Sequence, residues 1–73
     1  MTPAQCRAAR GMLNWTQDKL AEASRVSVIT VRNFELGKSK PQQSTLYLMQ
    51  QAFEQEGIEF TNGDAPGVRL KPR

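Results

Sequence analysis

The 73-residue chain contains no histidine and a single cysteine, Cys6. Zinc sites draw on sets of Cys and His ligands, so no metal site is expected. One cysteine cannot form a disulfide within the chain, and an unpaired thiol suits a reducing compartment. Long apolar runs are also missing: the longest cover a few residues, far short of the ~20 that cross a bilayer. The opening Met-Thr-Pro-Ala-Gln has neither the basic nor the apolar block of a secretory signal, which makes the cytoplasm the expected location. The parts of an enzyme are lacking too. There is no paired carboxylate on an identifiable pocket wall and no glycine-rich phosphate loop, so neither catalysis nor a cofactor is expected. Arg7 and Arg10 near Cys6 could activate its thiol. The competing and commoner reading is a small buried hydrophobe, because Cys6 falls on the apolar stripe of a helix.

What is present fits one small domain. A core of this size supplies only a few kcal/mol of net stability, so a partner chain is worth seeking. The net charge is +3. Residues 1–40 hold seven basic and three acidic side chains, a net of +4, whereas residues 41–73 hold three basic and four acidic, a net of −1. Positive charge gathered in one half favours nucleic acid over an acidic protein. The plainer alternative is a solvated basic face.

The stretch over residues 16–37 organises the chain. Two short helices are written into it, with Thr16 as N-cap of the first and Ser27 of the second, since a hydroxyl there accepts a bond from an orphan backbone N–H. Only Ser24 to Val26 separate them, which predicts a tight helical corner. Before it, Thr2-Pro3 opens an earlier helix, with Gln5 placed to complete a capping box. Cys6, Ala9 and Leu13 recur at helical spacing, Asn14 ends the helix, and Trp15 is expected to plug the core. In the helix after Thr16, Leu20 and Ala21 face inward, while Gln17, Asp18 and Lys19 are expected on an exposed first turn.

After the corner, Gly37 can take the left-handed conformation that stops a helix, and Pro41 blocks its continuation. A fourth helix is predicted from about residue 44 or 45 to 56, with Leu46, Met49, Ala52 and Phe53 inward and Tyr47 and Leu48 at the flanks. Past Gly57 the period changes. Residues 58–61 and 68–71 alternate apolar and polar, and the residues between them are rich in turn formers. This predicts a β-hairpin with a loop of about six residues. A lone hairpin is marginal in water, so it must pack on the helices or pair with another chain. The alternative is a frayed tail. The expected architecture is therefore mainly α: a helical domain over 1–57, with a tail over 58–73 packed on it.

Residues 27–36 carry the functional argument. At about 100° per residue, Val31, Phe34 and Glu35 share one side. Ile29, Arg32, Asn33 and Leu36 share the other, with Val28 at the N-terminal edge. β-branched aliphatics on an outward face make sense at an interface. In a DNA major groove they meet the thymine methyl, Asn bonds adenine, and Arg bonds guanine or a phosphate. Alternatively, Val28 and Ile29 complete a protein core or a protein–protein face.

The pieces Gln17-x-x-Leu-Ala21, Val26-Ser-x-x-Thr-Val31 and Phe34-Glu-x-Gly-Lys38 resemble the helix-turn-helix of phage repressor, Cro and Xre-type regulators. The resemblance covers roughly residues 5–53. It implies a four- or five-helix domain that binds double-stranded DNA with the second helix of the motif. It places Gln17, Val28, Ile29, Thr30, Arg32 and Asn33 at positions that read bases or lie at their rim. It places Thr16, Lys38 and Lys40 at the phosphate backbone. It also implies an ion pair between Arg10 and Glu35 that braces the first helix against the reading helix; independent surface charges are the alternative. The chain departs from the family twice. Arg25 stands where the corner usually has glycine, a position that often needs positive φ, and a phosphate contact by Arg25 would offset that cost. A fifth helix is replaced by the hairpin, whose Pro66-Gly-Val-Arg-Leu70 resembles the tail of some small bacterial regulators.

One such module reads three or four bases, so a homodimer on paired half-sites is expected, with the hairpin as a candidate contact. The rival function is an antitoxin-type or adaptor-type protein-binding module on the same fold.

Overall fold

The computed structural model describes residues 1–72. Four helices precede an antiparallel hairpin: α1 Pro3–Leu13, α2 Gln17–Ser24, α3 Val28–Glu35, α4 Gln43–Gln55, β1 Ile58–Thr61 and β2 Gly67–Leu70. This is the expected mainly α architecture. Arg73, the last residue of the expected tail, lies outside the described residues.

Local chemistry sets the helix ends. At α1 the capping box closes: Gln5 N donates to Thr2 Oγ1 at 3.1 Å, and Thr2 N donates to Gln5 Oε1 at 2.8 Å. Asn14 ends the helix in the left-handed region at φ 58°. Thr16 Oγ1 caps α2 by accepting from Lys19 N at 3.0 Å, and Ser27 Oγ caps α3 by accepting from Ile29 N at 3.2 Å. Between them Arg25 sits at φ 59°, ψ 37°, the left-handed geometry expected at that corner. Gly37, at φ 74°, follows α3. α4 begins slightly earlier than its sequence suggests, because Gln42 provides an extended N-cap residue although it makes no side-chain cap bond.

The core is one cluster. Cys6 and Ala9 of α1, Leu20 and Ala21 of α2, Val31 and Phe34 of α3, and Met49, Ala52 and Phe53 of α4 are buried together with Ile58 of β1. Ala21 lets α2 lie close to its neighbours, and α2 packs on both α3 and α4. Trp15 covers this core from the α1–α2 connection, its ring stacked on Phe53 at 5.8 Å between centroids. Leu46, expected among the buried stripe of α4, is only half-buried, near the open end of the core.

The hairpin pairs Ile58 with Leu70, Glu59 with Arg69, Phe60 with Val68 and Thr61 with Gly67. β2 starts one residue before the alternating pattern does, so the connection spans five residues, 62–66. Pairing continues past the strand ends, where Lys71 N donates to Gly57 O at 2.9 Å. β2 lies on α1 and β1 on α4. Ile58 is buried, and Phe60 tilts against Phe53 with centroids 6.0 Å apart. Gln5 does more than cap. Its Nε2 donates to Thr61 O at 2.9 Å and to Gly67 O at 3.0 Å, tying the first helix to the loop end of the hairpin.

Candidate nucleic-acid interface

Packing decides which face of α3 is free. Val31, Phe34 and Glu35 point into the domain, spaced so that one side of the helix is consumed by core. Ile29 is 59% exposed and Leu36 60%, and Arg32 is exposed beside them. Thr30 and Asn33 are half-buried at the edges of that face. Among the described residues the Asn33 amide has no side-chain partner. Its backbone carbonyl accepts from Lys38 N at 2.9 Å and Ser39 N at 3.4 Å, which folds the following loop back onto the helix end. Lys38 and Lys40 are exposed on that loop.

Val28 departs from its expected place. It is half-buried and packed against the core, because it lies three residues before Val31 and shares that side of the first turn. Ile29 is therefore the aliphatic side chain that stands fully out. Thr16 is exposed at the start of α2, and Arg25 is exposed at the corner.

Gln17 also differs from expectation. Instead of standing on an exposed first turn it is half-buried, and its Nε2 donates to Glu35 Oε1 at 3.0 Å. It belongs to a cluster centred on Glu35, whose side chain is only 3% exposed. Arg10 Nε donates to Oε2 at 2.7 Å and Arg10 Nη2 to Oε1 at 2.7 Å, a bidentate pair. Cys6 Sγ donates to Oε2 at 3.1 Å. Arg10 Nη1 reaches Trp15 O at 3.0 Å, and Arg7 Nη1 bonds the Glu35 backbone carbonyl at the end of α3. The expected Arg10–Glu35 pair is thus present and buried, and it has three further members. No buried side-chain N or O among the described residues lacks a partner.

Burial pushes the Glu35 carboxyl up, but the hydrogen bonds from Arg10, Gln17 and Cys6 outweigh it and hold the carboxyl below its ordinary range. Burial, and then the bond to Glu35, pushes the Cys6 thiol well above its usual value. Cys6 is the buried group expected of its stripe, and it also serves as a donor. The polar membership of Cys6 and Gln17 had no signal in spacing, since it depends on how α1 and α2 converge on α3.

Of the expected contacts, the fold brings Ile29, Arg32, Asn33, Lys38 and Lys40 onto α3 and the loop that follows it. It leaves Thr16 and Arg25 at the two ends of α2. It turns the amide of Gln17 inward and leaves Val28 partly covered. A helix-turn-helix family model matches residues 7–59 of the chain. The chain belongs to that family, in its Xre/Cro type, and the match supports a DNA-binding transcription regulator. No curated protein matches the chain. Among the described residues, no helix is long and apolar enough to cross a membrane.

Proposed function

We propose that the protein is a sequence-specific regulator that reads double-stranded DNA by inserting α3 into the major groove, two copies to a site. What supports this most is the outward face of α3. Ile29 and Arg32 stand exposed, with half-buried Asn33 at their edge, on a helix whose other side is locked into the core. Ile29 meets thymine methyls, Asn33 carries a free amide suited to adenine, and Arg32 reaches guanine or the adjacent phosphate. Thr30 and the uncovered part of Val28 border that contact. Lys38, Lys40 and Arg25, with Thr16 at the start of α2, meet the phosphate backbone and set the register. Gln17 acts through its bond to Glu35, holding the start of α2 against the end of α3.

The cluster around Glu35 gives this face its orientation. It ties α3 to α1 through Arg10, Arg7 and Cys6 and to α2 through Gln17, so the reading helix is held from both neighbours. Buried, fully bonded networks of this kind rigidify a site. The described residues span 31 × 27 × 19 Å. One copy is thus no longer than the ~34 Å turn that separates half-sites, and a paired site needs two.

The test is binding of a labelled duplex as a function of salt, with wild type, Asn33→Ala and Ile29→Ala. Phosphate contacts by Lys38, Lys40 and Arg25 predict a steep loss of affinity as salt rises. Each α3 variant is expected to keep its fold and relax sequence choice. A flat salt response, with unchanged sequence choice in both variants, would instead favour a protein-binding module on this scaffold.

A further inference from the structure

The turn-rich segment between the two strands takes no part in the reading face. It is exposed throughout, from Asn62 to Pro66. It opens on Asn62-Gly63, an asparagine followed by the residue whose main-chain nitrogen no side chain shields. In a two-residue hairpin turn an Asn-Gly pair is held by the bonds that close the turn. Here the connection spans five residues, 62–66, and the last strand pair, Thr61 with Gly67, lies outside it. Gly63 takes φ 106°, with no heavy atom within 4 Å of where a Cβ would stand. Among the described residues, no hydrogen bond engages the Asn62 side chain or the Gly63 N–H.

The two other asparagines, Asn14 and Asn33, are placed differently. Asn14 is followed by Trp15, whose N donates to Arg10 O at 2.9 Å. Asn33 is followed by Phe34, whose N lies within α3 and is taken up by the helix ladder. In both cases a bulky side chain crowds the following nitrogen and a hydrogen bond withholds it. Asn62 has neither restraint.

We infer that Asn62 is a site of spontaneous covalent modification, where the chain deamidates itself to aspartate and isoaspartate and the latter loosens the hairpin. Gly63 N gives its proton to solvent base and attacks Asn62 Cγ. The new C–N bond closes a cyclic imide, and the side-chain nitrogen leaves as ammonia. Water then opens the ring at one of its two carbonyls. Breaking the Cγ–N bond gives aspartate. Breaking the original peptide bond gives isoaspartate, whose main chain runs through Cβ and Cγ. The sum consumes one water, releases ammonia and changes no oxidation state. Either product puts a carboxylate where an amide stood, so the net charge falls from +3 to +2.

Isoaspartate also inserts a methylene into the main chain directly after Thr61. Thr61 O shares Gln5 Nε2 with Gly67 O, at 2.9 and 3.0 Å, across the base of this loop. The inserted carbon shifts the backbone at the end of the loop that Gln5 holds, so isoaspartate weakens the tie between α1 and the hairpin. Aspartate leaves the main chain unaltered and keeps that tie. Asn33 is spared in both products, so the modification acts on the hairpin and not on the face of α3.

The test is incubation of the full chain, folded in buffer and unfolded in urea, at neutral and at mildly alkaline pH. Peptide mapping by mass spectrometry locates each amide converted to acid. Folded Asn62 should convert within about threefold of its rate in urea, because an exposed loop tip resembles unfolded chain. Conversion should be faster at the higher pH, with Asn14 and Asn33 intact, and Asn62→Ala should show none. Ion exchange separates the products, and methyl transfer by an isoaspartyl methyltransferase marks the isoaspartate form. That form should lose more than about tenfold in amide-exchange protection of the hairpin, whereas Asn62→Asp should exchange like wild type. Folded Asn62 reacting more than about tenfold slower than in urea, or Asn14 or Asn33 reacting first, would overturn the site. Full hairpin protection in the isoaspartate form would overturn its effect on the hairpin.

Discussion

Replacing Arg10 by methionine should remove a large part of the protein's stability, and remove less of it as the solution is acidified. The substitution keeps an unbranched stem over the core but deletes both bonds from Arg10 to Glu35 and the bond to Trp15 O. Glu35 then remains in a site where its side chain is 3% exposed, with only Gln17 and Cys6 as donors. Breaking one partner of a buried pair costs about 3–5 kcal/mol, against ~0–1 for a surface pair. Arg10 is 20% exposed and two donors persist, so the lower end, about 3 kcal/mol, is the expected loss. Small domains have roughly 0.05–0.15 kcal/mol of stability per residue, so such a loss takes a large share of the total.

The pH dependence separates this account from a simple packing defect. In the wild type the Glu35 carboxyl is held below its ordinary value. Its contribution is present above the unfolded-state pKa and is lost as pH falls through the lower folded value. Without Arg10, burial dominates and the folded pKa rises above the unfolded one. Protonation then favours the folded variant, and the advantage disappears as pH rises through that raised value. The stability difference between wild type and Arg10→Met should therefore narrow from pH 7 toward pH 4. Urea unfolding followed by circular dichroism at several pH values measures it. A loss below about 1 kcal/mol at neutral pH, or a difference that does not change with pH, would refute the buried-pair reasoning.

Other substitutions test separate parts of the structure. Arg10→Met combined with Glu35→Leu should recover much of the lost stability in the same urea assay, because no charge is left buried. Arg25→Gly should raise the melting temperature by a few degrees, since the corner's φ of 59° costs an L-residue about 1–2 kcal/mol, while lowering the salt slope of DNA binding by about one ion. Gln5→Leu should cost about 1–3 kcal/mol by leaving Thr61 O and Gly67 O without their donor, and amide exchange should show the hairpin opening first.

The helices were legible because their ends are written locally. Thr2 with Gln5, Thr16 and Ser27 cap as their hydroxyls allow, and Gly37 and Gly57 carry the positive φ that follows α3 and α4. The hairpin was legible from its change of period, although β2 begins at Gly67, where alternation has no apolar side chain to mark it. The ion pair came from family resemblance rather than from spacing. What escaped the sequence depends on long-range convergence. Gln17 looks like any polar residue in a first helical turn, and its turn toward Glu35 follows only from how α1 and α3 meet beneath it. Val28 was placed at the edge of the outward face with Ile29, although its three-residue spacing from Val31 already turns it toward the core that partly covers it. Gln5 was readable as a cap, but its second role needs the hairpin to arrive 56 residues later.

If the exposed side of α3 reads sequence from paired half-sites, the bound DNA must carry that symmetry. Selection of bound duplexes from a random pool tests it most directly. Wild type should enrich a two-fold symmetric sequence with half-site centres about ten base pairs apart, and Asn33→Ala used as bait should change the base preference. A pool that shows no enrichment, or the same enriched sequence with wild type and Asn33→Ala, would contradict it.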